Sequence, residues 1–363
     1  MKEKIIVFYA PFGKGAPVEK LGGAEAGCIK TLQFYKRSGF KVIQVHKPVK
    51  KNSSLGYLLN LLLIPFVLMF KLLKSKDAVL HIAGFYLKLA PYEWFLTRVS
   101  RLIRRRYIYE IRNGGMVESY LSGGAFYQFF LKNIFKDSSL ILCQGATYVT
   151  FLKDSFEIEG FYYPNYIQDR FLQEKRIKDK DRSTLQLVFL GRIVPDKNIH
   201  FVVDILKSLV DQGQNCTLKL IGSFEAEYHQ ELIKRLNHWD LNESVDFLGR
   251  LEMSKILEVL KCSDFFLFPS KEKREGHSNA LTEAMAVGLI PIVSDIGFNR
   301  TIVGDNKFVV DSFDAKLYAE RIISLEKVFD FYSNQVVERI HNNFTEQIVC
   351  RRFEEAVNKL FAN

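Results

Sequence analysis

Short apolar segments alternate with segments of helical periodicity along most of the chain. The first apolar segment, Lys4–Ala10, is continuous and predicts a buried strand. Further segments of this type are Lys41–His46, Ala78–Ile82, Tyr107–Ile111, Ser139–Cys143, Leu185–Leu190, Thr217–Ile221, Val245–Leu248, Phe265–Phe268 and Ile290–Ser294. Helical patterns lie between them, at about 24–38, 127–135, 198–211, 226–239, 254–261 and 280–287. Because the strands are apolar throughout, the pattern predicts parallel sheets covered by helices on both faces.

The strands form two series, separated by a polar and charge-dense stretch at 167–184 that predicts a linker. Residues 1–166 would form one domain and residues 185–340 a second, each long enough to bury its own core. Residues 341–363 contain a terminal helical pattern that could pack back on the first domain. The predicted fold class is therefore α/β, with two Rossmann-like, doubly wound parallel sheets that face a cleft.

Residues 55–73 form the most apolar run of the chain. The run is close to membrane-spanning length, but it contains Asn60, Pro65 and Lys71. A spanning helix would also split the first domain between two of its strands. We therefore predict a buried helix or one that skims a membrane surface.

A second segment, Trp94–Tyr107, combines apolar and basic positions. Arg98, Arg101 and Arg105 recur at helical spacing, and apolar residues supply the other side. This pattern is typical of a basic amphipathic helix on anionic lipid, and equally of a core-packed helix with solvated arginines. Two apolar and basic segments in one domain favour lipid.

The charge of the chain is unevenly distributed. Residues 1–110 hold 20 Lys and Arg against 6 Asp and Glu, whereas the remainder has a net charge of −4. This excess predicts an anionic partner for the first domain: nucleic acid, a phospholipid surface or an anionic substrate. The five cysteines are scattered without a C-x-x-C pair, and a strand stands where a signal peptide would begin. We expect a reduced, cytoplasmic protein without a disulfide framework or a zinc site.

The segment Glu275–Gly288 carries the strongest candidate chemistry. Ser278 or Asn279 is a candidate N-cap of a short helix, and the closing glycine is a candidate helix end. The N–H groups of such a helix start suit a phosphate. The carboxylates of Glu275 and Glu283 only accept hydrogen bonds, so they suit hydroxyl groups of the same ligand. The segment therefore indicates a ligand with both phosphate and hydroxyl groups, such as a sugar nucleotide.

Two other loops that follow strands carry candidate phosphate contacts. Arg192 and Lys197 come just after Leu185–Leu190, and both cations can hold phosphate oxygens. Gly22 and Gly23 precede a helical pattern, where glycine would let the backbone approach a phosphate closely. A bare turn explains these two glycines equally well.

Taken in order, these segments resemble the retaining glycosyltransferases of family 4, which have the GT-B fold. The core of the resemblance is E-G-x-x-N through E-A-M-A-x-G-x-x-P at 275–291, which matches the E-x7-E signature of that family. The resemblance covers nearly the whole chain. The other matching segments are Gly22-Gly23-Ala24-Glu25, Pro164-Asn165, Leu190-Gly191-Arg192 with Lys197, Leu220-Ile221-Gly222, Phe247-Leu248-Gly249, Ser263-Asp264 and Phe268-Pro269-Ser270.

The resemblance implies a site for a nucleotide-sugar donor. The implied donor-binding residues are Gly22, Gly23, Arg192, Lys197, Arg250, Leu251, Glu275, Ser278, Asn279, Ala280 and Glu283, and those also implied to be catalytic are Glu275, Arg192 and Lys197. The two cations would neutralise the diphosphate, Glu275 would hold hydroxyls of the donor sugar, and the loop after Gly249 would border the base. Glu283 would hold the ribose. No metal or other cofactor is implied.

The chain departs from the family on the acceptor side. Many members carry a histidine after the fourth strand of the first domain, whereas here that strand is followed by Arg112, Asn113 and two glycines. Arg112 or Asn113 is therefore the acceptor-side candidate, and His81 is expected in the core. A front-side displacement, in which the leaving phosphate takes the acceptor proton, needs no side-chain base.

The predicted function is retaining transfer of a hexose or N-acetylhexosamine from a nucleoside diphosphate sugar, first of all a UDP-sugar. The acceptor would be a lipid-linked saccharide in cell-surface polysaccharide synthesis. The enzyme would lie on the inner face of the cell membrane, held peripherally by its first domain, with no nucleic-acid partner. The alternatives are a sugar-nucleotide epimerase or phosphorylase of the same fold, a basic nucleic-acid-binding protein, and a non-catalytic relative. No known nucleic-acid-binding motif is present, and the intact pair of acids disfavours a non-catalytic relative.

Overall fold

A computed structural model describes residues 3–13, 23–48, 54–84, 88–177 and 183–362. The chain forms two units: the first is Met1–Pro164 together with Val349–Asn363, and the second is Asn165–Ile348. Within the described residues, each unit is built on a sheet of six strands that all pair in parallel. The prediction of an α/β fold with two Rossmann-like parallel sheets is confirmed.

The sheet of the first unit has the strand order β2-β1-β3-β4-β5-β6. Its strands are β1 (Ile5–Ala10), β2 (Lys41–His46), β3 (Val79–Gly84), β4 (Tyr107–Ile111), β5 (Leu140–Cys143) and β6 (Gly160–Tyr162). The helices between them are α1 (Gly23–Arg37), α2 (Ser54–Lys74), α3 (Ala90–Leu102), α4 (Met116–Ser122), α5 (Ala125–Asp137) and α6 (Ala146–Phe156). Every residue of β3 and β4 is buried, which explains why these strands are apolar at almost every position.

The sheet of the second unit has the order β12-β11-β10-β7-β8-β9. Its strands are β7 (Leu185–Leu190), β8 (Cys216–Ile221), β9 (Val245–Gly249), β10 (Phe265–Phe268), β11 (Ile290–Ser294) and β12 (Val309–Val310). Its helices are α7 (Asp169–Leu172), α8 (Ile199–Asp211), α9 (Ala226–Trp239), α10 (Met253–Lys261), α11 (Asn279–Val287), α12 (Asn299–Val303), α13 (Ala315–Glu326) and α14 (Phe329–Asn343). The strand order reverses at β7, which pairs with β8 on one side and β10 on the other.

The last helix, α15 (Glu346–Ala362), belongs to the first unit from Val349 onwards. Phe353 is fully buried there, and its ring centroid lies 4.8 Å from that of Phe34 and 4.3 Å from that of Tyr163. Aromatic packing of this kind holds the last helix on the first unit.

The predicted linker at 167–184 is wrong for its first part. Residues 165–177 pack on the second unit, where Phe171 is fully buried and the guanidinium of Arg176 lies 2.9 Å from a carboxylate oxygen of Asp264. The polar composition of this stretch gave no sign of its two buried apolar side chains, Ile167 and Phe171, or of the ion pair. Residues 178–182 lie outside the described residues.

The predicted basic helix at Trp94–Tyr107 is also shorter than expected. Helix α3 ends at Leu102, and Arg104 adopts the left-handed conformation with φ of 53°. This turn brings the chain into β4, so the three arginines that follow the helix are not on its face. Arg98 and Arg101 both form ion pairs with Asp137, so their charges are partly neutralised on the face that was predicted to be basic.

Candidate active site

The reversal of strand order at β7 defines the candidate site. In an open parallel sheet, the loops that leave the carboxyl ends of the two strands beside such a reversal diverge and create a crevice. Here these are the loops after β7 and β10, which carry Arg192 with Lys197 and Glu275 with Ser278. The topology therefore brings the two strongest sequence candidates to one place in the second unit.

Close backbone packing directs the loop after β7. Gly191 and Gly222 have φ of +157° and +146°, and a Cβ on Gly222 would lie 1.7 Å from the carbonyl oxygen of Gly191. The N–H of Gly191 donates to Ile221, and the N–H of Gly222 donates to Gly249, over 2.9 and 2.8 Å. Only glycine fits at position 222, because any side chain would push the loop away from the crevice.

Lys197 lies at the centre of the site. Its Nζ is 2.5 Å from Oε2 of Glu275 and 2.6 Å from Oε2 of Glu272, and it lies 5.6 Å from the ring centroid of Phe268. The side chain is only 11% exposed. Asn198, in the left-handed conformation, donates from Nδ2 to the carbonyl of Pro269 over 3.0 Å and so joins the two loops.

Glu275 is fixed from several sides. It is 8% exposed, and its Oε2 also accepts a hydrogen bond of 2.8 Å from the hydroxyl of Ser270. A Cβ on Gly297 would lie 2.2 Å from the carbonyl oxygen of Glu275, so the neighbouring loop touches its backbone. A carboxylate held in this way stays in one orientation and can accept hydrogen bonds from ligand hydroxyls.

The amino end of α11 offers backbone donors beside this carboxylate. Ser278 is the N-cap: its hydroxyl accepts from the N–H of Leu281 over 3.3 Å, which confirms one of the two predicted caps. Among the hydrogen bonds of the described residues, none uses the N–H groups of Asn279 or Ala280. These two donors and the helix dipole form a place for an anion. Gly288, with φ of +103°, ends the helix as predicted.

The remaining donor-side candidates are less constrained. The side chain of Arg192 is 61% exposed and its Nη2 lies 3.8 Å from Oε2 of Glu272. Arg250 is exposed and Leu251 is half-buried, in the loop that follows β9. Glu283 is half-buried on the second turn of α11. Arg192, Arg250 and Leu251 lie in loops that leave the carboxyl ends of strands. The roles of all four residues in donor binding stay predictions.

Glu272 is a site residue that the sequence did not reveal. It lies in the run Lys271-Glu272-Lys273-Arg274, which reads as an ordinary solvated charge cluster. In the structure its carboxylate contacts Lys197 and lies near Arg192. The only signal available in the sequence was its position, three residues before Glu275.

The acceptor-side candidates lie in the first unit. Arg112 is 5% exposed, and its Nη2 is 2.7 Å from both Oε1 of Glu110 and the hydroxyl of Thr31. The other oxygen of Glu110 lies 3.2 Å from Nε2 of His81, whose Nδ1 is 2.9 Å from the hydroxyl of Tyr35. Arg112 is thus held within a buried polar network, and an acceptor-side role for it stays a prediction.

Charge is balanced inside this network. Burial alone would raise the pKa of Glu110, but the charges and hydrogen bonds of Arg112 and His81 outweigh it and hold that pKa below its ordinary value. Burial lowers the pKa of His81, which is fully buried as predicted. The network therefore keeps an ionised carboxylate and a guanidinium paired in the core.

Three other predicted positions in the first unit can be placed only in part. Asn113 is half-buried, and its carbonyl accepts a hydrogen bond of 2.6 Å from the hydroxyl of Tyr148. Gly23 is the first residue of α1. Gly22 lies outside the described residues. Among the residues that are described, no three His, Cys, Asp or Glu side chains group as a metal site would require.

Comparison with known families finds a similarity that covers most of the second unit. Residues 171–334 match the family model of glycosyl transferases group 1. The capsular polysaccharide biosynthesis glycosyltransferase CapM of Staphylococcus aureus is 28% identical over 57% of this chain and 56% of its own. The chain thus spans about half the length of the curated relatives that it matches.

Solved structures extend the likeness to the whole fold. A glycosyltransferase from Rickettsia africae aligns over 100% of both chains with a TM-score of 0.76 and 13% identity. Alr3699/HepE of Anabaena, solved in complex with UDP-glucose, aligns over 99% of this chain and 100% of its own with a TM-score of 0.68 and 16% identity. The fold is GT-B, as predicted.

The fold is that of GT-B proteins, and residues 171–334 of the second unit are similar to the glycosyl transferases group 1. The match of residues 171–334 supports the predicted enzyme class, a transferase.

Proposed function

We propose that this protein transfers a sugar from a nucleoside diphosphate sugar, bound at the switch point of the second unit, to a growing cell-surface polysaccharide. The observation that carries the proposal is the buried contact of Lys197 with Glu275 beside the two N–H groups of α11. A cation and backbone donors, which suit phosphate, lie next to an oriented carboxylate, which suits sugar hydroxyls, and this arrangement supports the proposal. The capsular polysaccharide role in the name of CapM supports the pathway.

The diphosphate is assigned to Lys197, Arg192 and the N–H groups of Asn279 and Ala280. As the bond between the anomeric carbon and the phosphate oxygen breaks, negative charge develops on the leaving diphosphate. Cations and fixed dipoles aimed at that oxygen lower the barrier, because they need no reorganisation during the reaction. Arg192, exposed and loosely held, can turn toward the phosphate when the donor binds.

The sugar and nucleoside are assigned to the neighbouring groups. Glu275 accepts hydrogen bonds from sugar hydroxyls, Glu283 from the ribose, and Arg250 with Leu251 borders the base. UDP is the proposed nucleotide, supported by the UDP-glucose complex of Alr3699/HepE. The proposed transfer is retaining, as in family 4: the acceptor hydroxyl attacks from the side of the leaving group, and its proton passes to the departing phosphate oxygen. This step uses neither a side-chain base nor a metal ion.

The proposed acceptor is a saccharide carried on a lipid, at the cytoplasmic face of the membrane. Support comes from the first third of the chain, with a net charge of +14, and from the apolar helix α2 in the same unit. An enzyme that extends a lipid-linked chain gains from staying at the membrane surface, since both substrate and enzyme then diffuse in two dimensions.

A donor screen tests the proposed function. The full-length protein is incubated with UDP-, GDP- and ADP-sugars, and release of the nucleoside diphosphate is measured with and without saccharide acceptors. A glycosyltransferase releases the nucleoside diphosphate from one class of donor, faster with acceptor. Conversion of the donor to its epimer, or turnover only with inorganic phosphate, would instead identify an epimerase or a phosphorylase.

Arg192→Ala is expected to weaken binding of the nucleoside diphosphate about tenfold, with little change in the free energy of unfolding. The guanidinium is open to solvent and makes no short contact in the described structure, so its loss removes one charge from the ligand and leaves the fold intact. Calorimetric titration checks the affinity. An unchanged dissociation constant would remove Arg192 from the diphosphate site.

Glu272→Gln is expected to strengthen nucleoside diphosphate binding by about fivefold. The carboxylate of Glu272 holds Lys197 and faces Arg192, so it competes with the diphosphate for the same cations. A partly exposed pair of this type contributes up to about 1 kcal/mol. Glu258→Gln, in an exposed pair with Lys255 on α10, is the matched control and should change nothing. Weaker binding by Glu272→Gln would show that Glu272 supports the site instead of competing for it.

A further inference from the structure

Helix α2 has an apolar face that no described part of the chain covers. Its inner stripe is Ile64, Leu68 and Leu72, spaced four residues apart and buried on the first unit. The large apolar side chains of α2 that are 39–68% exposed are Leu55, Leu58, Leu59, Leu62, Leu63, Phe66, Val67, Phe70 and Leu73. Continuous apolar surface of this extent is unusual on a soluble face and marks a docking surface.

The helix lies along the first unit. The segment Leu55–Lys74 is long and apolar enough to cross a membrane, and 22% of an 18-residue stretch within it is buried. Two side chains of the unit fix it from behind: the hydroxyl of Tyr92 donates to the carbonyl of Leu61 over 2.8 Å, and Nε of Arg105 donates to Leu72 over 3.4 Å. A helix held along its length against a domain cannot cross a bilayer without that domain. Its length of about 31 Å therefore lies parallel to the surface of the unit.

Positive charge surrounds the carboxyl end of α2. The helix has no acidic residue, and Lys71 and Lys74 occupy its last turn. The residues that follow the helix line a cavity of about 450 Å³, which lies beside the amino ends of β1, β3 and β4. The charged residues that line this cavity are Glu3, Lys4, Asp77, Arg104, Arg105 and Arg106. With four cations against two acids, it favours an anion.

We propose that α2 and this basic cavity, together the α2 surface, dock on a bilayer that contains anionic phospholipid. The exposed side chains of α2 insert among the upper parts of the acyl chains, and the cavity receives a phosphate headgroup. The two parts complement one another as apolar and charged zones do in interfacial helices. A second protein copy would match the exposed apolar side chains of α2 alone, whereas a bilayer matches both these side chains and the basic cavity at the end of the helix.

With α2 lying on the membrane, the carboxyl edge of the first sheet, where the acceptor is predicted to bind, would also lie at the membrane. Helix α2 connects β2 to the parallel strand β3, so it starts at the carboxyl edge of the sheet and ends at the amino edge. Arg112 and Asn113, the predicted acceptor-side residues, follow β4 at that same carboxyl edge. The inference rests on the proposed function only here, in that a lipid-linked acceptor would then reach this edge from the headgroups.

The α2 surface differs from the lipid contact expected from the sequence. That expectation placed Arg98, Arg101 and Arg105 together on one lipid-facing helix. Arg98 and Arg101 pair with Asp137, whereas Arg105 follows the helix and lines the cavity. The apolar contact comes from α2, and the charged contact from the turn after α3. Arg104, exposed and in the left-handed conformation, is the member of this turn that can be changed with least effect on the fold.

Flotation of the full-length protein with vesicles tests the proposal. The vesicles are phosphatidylcholine alone or phosphatidylcholine with phosphatidylglycerol. The wild type should float with the anionic vesicles, and Leu62→Gln with Phe66→Gln should reduce partitioning at least about 30-fold. The matched control is Leu317→Gln with Phe331→Gln, which changes similarly exposed side chains of the second unit and should bind like the wild type.

The charged part is tested by Arg104→Asn, since asparagine tolerates the left-handed conformation. Loss of one cation near an anionic surface should lower partitioning to the anionic vesicles about fivefold and leave binding to neutral vesicles unchanged. Equal binding of the wild type to both vesicle types, or unchanged flotation of the Leu62/Phe66 variant, would overturn the proposal. The proposal would also be overturned if light scattering showed a dimer for the wild type and a monomer for the Leu62/Phe66 variant, and neither protein bound vesicles. The apolar face of α2 would then be a dimer interface.

Release of nucleoside diphosphate in lipid-free solution separates the two proposals. A protein that turns over a donor but ignores anionic vesicles overturns the α2 surface alone. A protein that floats but acts on no donor keeps the α2 surface and overturns the proposed function.

Discussion

Glu275→Gln is expected to lower turnover by about 10²–10³-fold while the protein stays folded. The carboxylate is buried, oriented by Lys197 and Ser270, and assigned to hydroxyls of the donor sugar beside the reacting carbon. Glutamine keeps the size and one acceptor oxygen but loses the charge. Loss of one oriented electrostatic contact in a largely buried site has an effect of this size on the chemical step.

Retention of the fold follows from the second partner of Lys197. Its ammonium still contacts Glu272 in the variant, so no buried cation is left alone. The free energy of unfolding should fall by no more than about 1–2 kcal/mol. Turnover and the denaturation midpoint are measured on the same preparation, with Glu258→Gln as the control. Undiminished transfer would remove Glu275 from the site.

Lys197→Met is expected to abolish tight binding of the nucleoside diphosphate, with a loss of at least about 30-fold. Lys197 is the buried cation of the site, and its ammonium would pair with the bound diphosphate. Removal of one partner from a buried charge pair between protein and ligand costs about 2–5 kcal/mol of binding free energy. The effect should exceed that of Arg192→Ala, whose side chain is open to solvent. Calorimetric titration of both variants checks the order of the two effects.

The same substitution should also destabilise the second unit. Methionine keeps much of the packing against Phe268, but it leaves Glu275 and Glu272 without their shared cation. Breaking a buried pair from one side costs about 3 kcal/mol. If Lys197→Met unfolds at the wild-type denaturant midpoint, the ion pair of Lys197 with Glu275 does not stabilise the second unit, contrary to what its burial predicts.

The fold could be predicted from the sequence where buried strands are apolar throughout. Every predicted strand is present, with bounds that differ by two residues at most. The strands without a predicted counterpart, β6 and β12, have only three and two residues, too few for a pattern. Helices α13 and α14 were not predicted. Both carry exposed apolar residues, such as Leu317 and Phe331, beside the buried ones, so their apolar positions do not follow the spacing of one helix face.

The candidate site could be predicted only where a residue follows a strand at the switch point. Lys197 and Glu275 do so, and the structure brings them into contact. Glu272 could not be found, because a carboxylate in a run of surface charges has no distinctive spacing. For Arg112 the sequence showed a polar residue after a strand, but not the buried Glu110 that holds it, since the pairing depends on alternation within β4.

Calorimetric titration of UDP into the full-length protein, with EDTA present, measures most directly whether the switch point of the second sheet binds a nucleoside diphosphate. We expect saturable binding by the wild type, tighter binding by Glu272→Gln, and binding at least about 30-fold weaker by Lys197→Met. Absence of binding for UDP, GDP and ADP alike, or equal affinity in the wild type and Lys197→Met, would contradict a donor site at Lys197 and Glu275.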